Sequence, residues 1–498
     1  MLWIILIAAA GLLAVVSSVP ILQPLGPAVL AVPMLIGISR LRLPGLVMSF
    51  LVAENLVHLL KRIIFLLGPQ PQSIYFAVQL LPTVILCVAF VSAVRRPLGL
   101  PRPASAGLLC AFLLVTLATT AVSLSYVPYL DALAAVHRQL LPFLMFFVGL
   151  SLTFDEFARA GRILAFLAGI SVVYGVLQLI SGPTVIDRAW ADGTYSYSIQ
   201  ASKVFDYLQG TGPQFRAYSY YADPLTWGLF LVAGFVGAAV ARTRGRAGKA
   251  LWLMTVTLIP AGLFVSLTRT CWVSFIGTLA AYRLLKRRVT RRPWIVFASV
   301  ICAFPVTITL ANLLYTEVFL ARRLPIGENP IVARYITVGT LEARISAWDS
   351  LKKAVSERPQ GYGVMPYIRS RSEAPDWNRP LFSHNFVVEL VFNSGVIGAL
   401  LFLLFYFQWL REALRALKMT SDESTRRAFR WMIAFSVGSV ISGYFNGLNF
   451  ATWEYFLIMG ALSGHAALVN SALRKQAPAP IRGPALLRPF PTPVRLGG

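Results

Sequence analysis

The sequence is poor in charged residues and in cysteine. Charged side chains make up 13% of its 498 residues, against about 25% in an average soluble domain. This shortage excludes a soluble enzyme built around one large core, and the apolar excess that accompanies it excludes a disordered chain. The cysteines all lie within apolar runs, which excludes the disulfide framework of a small secreted module. They are Cys87, Cys110, Cys271 and Cys302.

Apolar residues are abundant instead. They account for 57% of the chain, enough for up to about 14 bilayer-spanning helices at roughly 20 residues each. We therefore predict an all-α polytopic integral membrane protein with about 12–14 transmembrane helices.

The basic residues are concentrated in short linkers between apolar segments. The net charge is +25, and residues 242–249, 283–292 and 411–430 carry much of the excess, together with the C-terminal tail. Short Lys/Arg-rich loops between spans lie on the cytoplasmic side and attract anionic headgroups. The charge therefore indicates orientation and membrane lipids as partners, and it argues against nucleic acid as a partner.

Hydropathy divides the chain into fourteen candidate spans, the first of which lacks the basic region and cleavage site of a signal peptide. Placing the basic linkers inside gives a consistent alternation with both termini cytoplasmic. Lys61 and Arg62 are the exception on the outer side, so they either snorkel at the interface or reveal a miscount of the first three spans. The candidate spans are 2–19, 20–38, 43–62, 74–94, 105–124, 138–153, 161–181, 222–241, 250–267, 270–285, 294–315, 385–410, 430–447 and 452–471.

Two long segments remain on the outer side, about 182–221 and about 316–384. We expect function there, because long ordered loops commonly carry it. The aromatic residues of the first segment suit sugar rings, but an interfacial belt is the favoured interpretation. These aromatic residues are Trp190, Tyr195, Tyr197, Phe205, Tyr207, Phe215, Tyr218, Tyr220 and Tyr221.

In the second outer segment, apolar residues at three-, four- and seven-residue spacing predict a helix over about 341–356. Arg344 lies on its apolar face, where a desolvated guanidinium needs an anionic partner. That partner is either a substrate or, with equal weight, a carboxylate of the chain such as Glu317 or Asp349. The turn Gly361-Tyr362-Gly363 that follows can bring backbone amides close to a ligand.

His384 lies at the first turn of a late span. The positive end of the helix dipole disfavours imidazolium, so the neutral ring can act as a base near pH 7. Ser383 or Asn385 can cap this helix. The alternative is an interfacial histidine without a catalytic role.

Arg216 and Arg269 face outward beside apolar spans, where orientation gives no reason for them. Arg269 lies in an outer turn whose broken backbone ladder Ser266, Thr268 and Thr270 can satisfy. Because a guanidinium binds phosphate oxygens in a bidentate manner, several outward arginines suggest a phosphate or diphosphate clamp. Snorkelling toward headgroups is the equal alternative for each arginine alone.

Taken in order, these pieces resemble the O-antigen ligase and O-antigen polymerase family of bacterial envelope glycosyltransferases, over about residues 205–410. The motifs are Phe215-Arg216, SerLeuThrArgThrCysTrp at 266–272, Arg344 with Trp348, Pro359-x-Gly361-x-Gly363, and His384-Asn385 followed by Gly395 and Gly398.

The resemblance implies a metal-independent, GT-C-like membrane transferase without a cofactor, with a large, partly helical periplasmic loop between two late spans. It implies that a glycan passes from an undecaprenyl-diphosphate carrier to a glycan or lipid acceptor. In this family pattern His384 deprotonates the acceptor hydroxyl. The diphosphate is held by Arg216, Arg269 and Arg344, and supporting roles fall to Trp348, Gly361, Gly363 and Asn385.

The predicted organisation has four parts in a bacterial cytoplasmic membrane, with the active site facing outward. Residues 1–204 form the N-terminal helices and first outer loop, 205–410 the catalytic region, 411–473 the C-terminal helices and 474–498 a disordered basic tail. Other polysaccharide assembly proteins are further candidate partners.

Three functions stay open. The first is a transferase, either polymerase or ligase. The second is a flippase of lipid-linked oligosaccharide, for which the intramembrane pair Glu54 and His58 would serve as a proton relay. The third is a non-catalytic component of a polysaccharide export complex. The absence of an obvious internal repeat favours the transferase over transport.

Overall fold

The structure is a computed structural model, and it describes twelve parts of the chain. These are residues 41–66, 72–96, 103–123, 135–137, 139–188, 217–221, 224–242, 246–266, 268–286, 351–352, 355–364 and 385–476.

All regular structure in the described residues is helical, which confirms the all-α prediction. The helices, numbered here in chain order, are α1 Leu43–Leu66, α2 Gln72–Arg95, α3 Ala104–Ser123, α4 Leu144–Leu150, α5 Phe154–Ser181, α6 Pro224–Ala241, α7 Arg246–Val265, α8 Arg269–Lys286, α9 Phe386–Met419, α10 Glu423–Asn446 and α11 Trp453–Gln476. Short 3₁₀ turns precede α4 and α11, at Leu141–Phe143 and Gly447–Phe450.

Seven of these helices are long and apolar enough to cross a membrane: α1, α2, α3, α5, α6, α7 and α9. This confirms a polytopic membrane protein. Helices α8, α10 and α11 coincide with three further predicted spans, although they are not among those seven. The predicted spans 2–19, 20–38 and 294–315 lie outside the described residues.

Contacts between distant segments show which helix ends lie together. Ser105, at the start of α3, donates to Glu412 near the end of α9 at 2.6 Å, and Arg96 after α2 pairs with Glu156 of α5 at 3.0 Å. We call this the basic end, because Arg242 and the basic residues of segment 411–430 lie there. The other end, here the site end, holds the last turns of α1 and α5, residues 217–221 and the first turns of α8 and α9.

Small residues allow the helices to approach closely, as is typical of membrane bundles. A Cβ atom on Gly161 of α5 would lie 2.7 Å from the carbonyl oxygen of Gly237 in α6. Helix α6 is the centre of the bundle, since 83% of its span is buried inside the protein. It contacts α5, α7, α8 and α10.

Candidate active site

Helix α9 begins at a capped end that borders His384. The buried side chain of Asn385 accepts hydrogen bonds from the backbone amides of Val387 and Val388, at 3.0 and 3.4 Å. This confirms that Asn385 caps the helix. His384 directly precedes this cap in the sequence.

Gly395 breaks α9 near the end of its third turn. Its backbone has φ 69° and ψ −178°, a region that essentially only glycine occupies. A break in a spanning helix frees peptide groups that need partners. Pro359 and Tyr362 provide them: Val396 donates to the Pro359 carbonyl at 2.9 Å, and Tyr362 donates to the Phe392 carbonyl at 2.7 Å.

The Gly361-Tyr362-Gly363 turn therefore rests on the broken helix. Both glycines have left-handed φ values, 88° and 82°, and a Cβ atom on Gly361 would lie 3.0 Å from the Cα atom of Gly395. The Tyr362 ring stacks on Phe392 at 4.4 Å between centroids. The amide of Gly361 donates to the Arg358 carbonyl at 2.9 Å. The amides of Gly361 and Tyr362 are therefore both hydrogen-bonded to carbonyl groups of the protein.

A second helix holds the same turn from the other side. Val364 donates its amide to the Thr120 hydroxyl of α3 at 3.0 Å, and Thr119 donates to the Gln360 carbonyl at 3.3 Å. The turn is thus fixed between α3 and α9, and it determines the direction of the helical segment that carries Asn385.

Arg269 is the first residue of α8, and it is half-buried at the site end. In the turn before it, the Ser266 hydroxyl donates to the Leu263 carbonyl at 2.8 Å, and the Thr268 hydroxyl donates to the Ser266 carbonyl at 3.0 Å. These bonds confirm that Ser266 and Thr268 satisfy the interrupted backbone. Helix α10 runs opposite to both α8 and α9, since Tyr282 near the end of α8 stacks on Trp431 near the start of α10, and Leu448 after the end of α10 donates to Glu389 near the start of α9. The N-termini of α8 and α9, which favour anions, therefore lie at one end of the bundle.

Four predicted site residues lie outside the described residues. They are Arg216, Arg344, Trp348 and His384. Arg216 and His384 are each followed directly in the sequence by a buried residue, Ala217 and Asn385. The structure therefore brings Gly361 and Gly363 together with the start of α9, and it places Arg269 at the same end.

The structure also reveals a buried ion pair that the sequence did not predict. Arg62 of α1 donates to the Asp187 carboxylate at 2.7 Å, with 4% and 0% of the two side chains exposed. The same guanidinium donates to the carbonyls of Ser219 and Tyr221, and it lies 4.9 Å from the centre of the Tyr218 ring. Arg62 thus does not snorkel, because it is buried and paired inside the protein.

Gln178 of α5 completes this network. Its side-chain oxygen accepts the amide of Ser219 at 2.7 Å, and its amide group donates to Asp187 at 2.8 Å and to the Ser219 carbonyl at 2.9 Å. Ser219 is held at φ 53°, a strained value for a residue with a Cβ atom. The network therefore fixes the chain three residues after Arg216.

The described aromatic residues of the first outer loop do not form an interfacial belt. Tyr218, Tyr220 and Tyr221 are 4%, 2% and 4% exposed, so for these three the expectation of a belt is wrong. Tyr220 donates to the Leu167 carbonyl at 2.9 Å, and Tyr221 donates to Asn55 of α1. Burial raises the pKa of each phenol above its ordinary value. The other six aromatic residues of this loop lie outside the described residues.

Glu389, one turn after the cap, is a further polar residue of the first half of α9. Its carboxyl group accepts the backbone amide of Leu448 at 2.6 Å, in the 3₁₀ turn between α10 and α11. This contact attaches the start of α9 to the neighbouring helices. The sequence feature that indicates it is an acidic residue within an apolar run.

Comparison with known proteins finds a family over part of the chain. Residues 250–403 match the family model of O-antigen ligase. The matched segment runs from α7 through Arg269 and the glycine turn into α9. Comparison with curated proteins gives no match. Over residues 250–403, the chain is therefore similar to the O-antigen ligase family.

Proposed function

We propose that the chain is an O-antigen ligase-type membrane glycosyltransferase and that it takes its glycan from an undecaprenyl-diphosphate carrier. The acceptor is a hydroxyl group of a second glycan or of a lipid, and the reaction takes place on the outer face of the bacterial cytoplasmic membrane. The orientation follows from the positive-inside rule, since the site end lies opposite the basic linkers.

One observation carries the proposal: the start of α9 is held rigidly at the site end by three separate contacts. Asn385 caps the helix, the glycine turn seats its break at Gly395, and Glu389 binds the turn after α10. His384 is the next residue before the cap. A catalytic group needs such a fixed attachment to reach its productive geometry.

In the proposed reaction, His384 removes the proton from the acceptor hydroxyl. The acceptor oxygen bonds to the anomeric carbon as the bond from that carbon to the diphosphate oxygen breaks, and the carrier diphosphate leaves with the electron pair. The positive end of α9 favours the neutral, basic form of the imidazole. General-base catalysis of this kind contributes roughly 10²–10⁴-fold in rate.

Arg269 is proposed to stabilise the leaving diphosphate, with Arg216 and Arg344 as further cations. Charge develops on the leaving group as the glycosidic bond breaks, so fixed guanidinium groups lower the energy of the transition state more than that of the bound donor. The N-terminal position of Arg269 on α8 adds the helix dipole to its own charge. No metal ion is assigned to this step.

Glycan formation in cells tests the proposal. We expect His384→Ala and Arg269→Ala to abolish the product while expression stays normal, and Arg269→Lys to recover it only in part, because an ammonium lacks the bidentate fork. Arg188→Ala is the matched control, since Arg188 is exposed at the same end and lies outside the family match. Unchanged product in the first two variants would contradict the proposal.

The product that accumulates in a deletion strain separates polymerase from ligase. Loss of a polymerase leaves single carrier-linked repeats, whereas loss of a ligase leaves finished carrier-linked chains. Both activities use the same donor chemistry, so the distinction concerns the acceptor alone.

A further inference from the structure

A cavity of about 260 Å³ opens at the basic end, at the opposite side of the bundle from the candidate active site. It lies between the end of α6, the first turns of α7, the end of α8 and the start of α10. The proposed transferase reaction uses none of its residues.

Four cationic side chains line this cavity: Arg242, Lys286, Arg427 and Arg430. One carboxylate, Glu423, accompanies them, and it binds Arg430 at 2.8 Å. The cavity therefore keeps a clear excess of positive charge. The Nε atom of Arg430 is buried, and within the described part of the chain nothing accepts a hydrogen bond from it. These features suit a multivalent anion.

Aromatic residues make the walls of the cavity rigid. Tyr282 and Trp431 stack face to face, with centroids 3.9 Å apart and ring planes 13° from parallel. Trp252 lies 5.8 Å from Trp431, and the guanidinium of Arg242 lies over the Trp252 ring at 5.4 Å. This arrangement orients Arg242 and distinguishes the cavity from a solvated basic loop, where long side chains move freely.

The surroundings of the cavity indicate a lipid. Helices α7 and α8 expose large apolar side chains close to the residues that line the cavity. Leu253 follows Trp252 and is 69% exposed, and Leu284 lies two positions before Lys286 and is 53% exposed. In a membrane such surfaces face acyl chains, and the cationic groups lie where the last turns of the helices meet the headgroup layer. Basic pockets between transmembrane helices on the cytoplasmic side bind anionic headgroups.

We propose that this cavity binds the phosphate-bearing headgroup of an anionic phospholipid from the leaflet at the basic end. The headgroup phosphate contacts Arg242 and Arg427 at the mouth, Arg430 forms the inner wall, and the acyl chains follow α7 and α8. This second site is independent of the proposed glycosyl transfer.

Equilibrium binding of fluorescent phosphatidylglycerol to the full chain, purified in a zwitterionic detergent, tests the proposal. We expect phosphatidylglycerol to bind at least tenfold more tightly than phosphatidylcholine with the same acyl chains. Arg242→Gln and Arg427→Gln should each weaken binding about fivefold, and about 25-fold together. The matched control is the double variant Arg411→Gln and Arg415→Gln, which removes two exposed arginines of α9 at the same end and should leave affinity unchanged.

Three results would overturn the proposal. Equal weakening in the control variant would show a general effect of charge, and unchanged affinity in the cavity variants would show that lipid binds elsewhere. Inorganic phosphate that competes at the same concentration as the lipid would assign the cavity to a free phosphate. If the double cavity variant does not fold, Arg427→Gln alone decides, because that side chain is exposed and its fivefold effect is measurable.

Discussion

Replacement of Arg62 by Met is expected to destabilise the protein more than any single change at an exposed arginine. Arg62 and Asp187 form a buried pair, with N–O distance 2.7 Å. Removal of one partner of such a pair costs about 3–5 kcal/mol, because the other charge stays buried without compensation. After Arg62→Met, the Asp187 carboxylate still accepts hydrogen bonds from Thr184, Tyr174 and Gln178. We therefore expect the lower end of the range, about 3 kcal/mol.

Replacement of the other partner, Asp187, leaves the buried Arg62 guanidinium without its carboxylate. Asp187→Asn keeps Arg62 charged within a site that is 4% exposed, so we expect a loss nearer to about 5 kcal/mol. The double variant should lose less than the sum of the single effects, by about 1–3 kcal/mol, since the two residues interact directly.

Reversible unfolding in mixed micelles with increasing SDS measures these free energies. Arg95→Met is the control, because Arg95 is exposed at the end of α2 and its loss should stay within about 0.5 kcal/mol. A loss for Arg62→Met no larger than for this control would refute the assignment of a buried structural pair. Additive effects of the Arg62 and Asp187 changes would refute their coupling.

Three further predictions concern the backbone and the buried phenols. Gly395→Ala should reduce both the amount of folded protein and the transferase activity, because a φ of 69° strains any other residue and the new Cβ atom would lie 2.6 Å from the Pro359 carbonyl oxygen. Gly107→Ala is the control, since no atom lies within 4 Å of its new Cβ atom. It should keep the folded protein, measured by thermal unfolding, and the transferase activity. Asn385→Ala should cost about 1 kcal/mol of stability, and Asn385→Ser should restore it by capping α9; equal losses would exclude a capping role. Since burial raises the pKa of Tyr220, the folded state keeps a proton that the unfolded chain loses above an ordinary pKa of about 10. The contribution of this phenol to stability is therefore complete below that pH and falls above it, by up to about 1.4 kcal/mol per pH unit. In alkaline unfolding, Tyr220→Phe should make the loss of stability shallower by that amount, while Tyr218 and Tyr221 keep their own contributions.

Local features of the fold were predictable from the sequence. Hydropathy and the basic linkers located the helices, because a membrane span requires a continuous apolar run and its orientation follows the Lys/Arg residues. The cap at Asn385 and the hydroxyl groups of Ser266 and Thr268 were also predictable, since a capping bond joins residues two or three positions apart.

Contacts between distant residues could not be predicted in the same way. Arg62 and Asp187 are separated by 125 positions, and nothing in either local pattern indicates the other. Arg62 therefore looked like an exception to the orientation rule. Likewise, the sequence of the glycine turn indicates a ligand cradle, because the sequence does not show that Gly395 breaks α9 and that Pro359 and Tyr362 bind the freed peptide groups.

Glycosyl transfer that depends on His384 can be measured with the purified full chain in liposomes, supplied with an undecaprenyl-diphosphate-linked glycan and its acceptor. We expect a new glycosidic bond and release of the carrier diphosphate, with a rate at least about 100-fold lower in His384→Ala although the donor still binds. Movement of the carrier lipid across the bilayer without bond formation, or an unchanged rate in His384→Ala, would contradict this expectation.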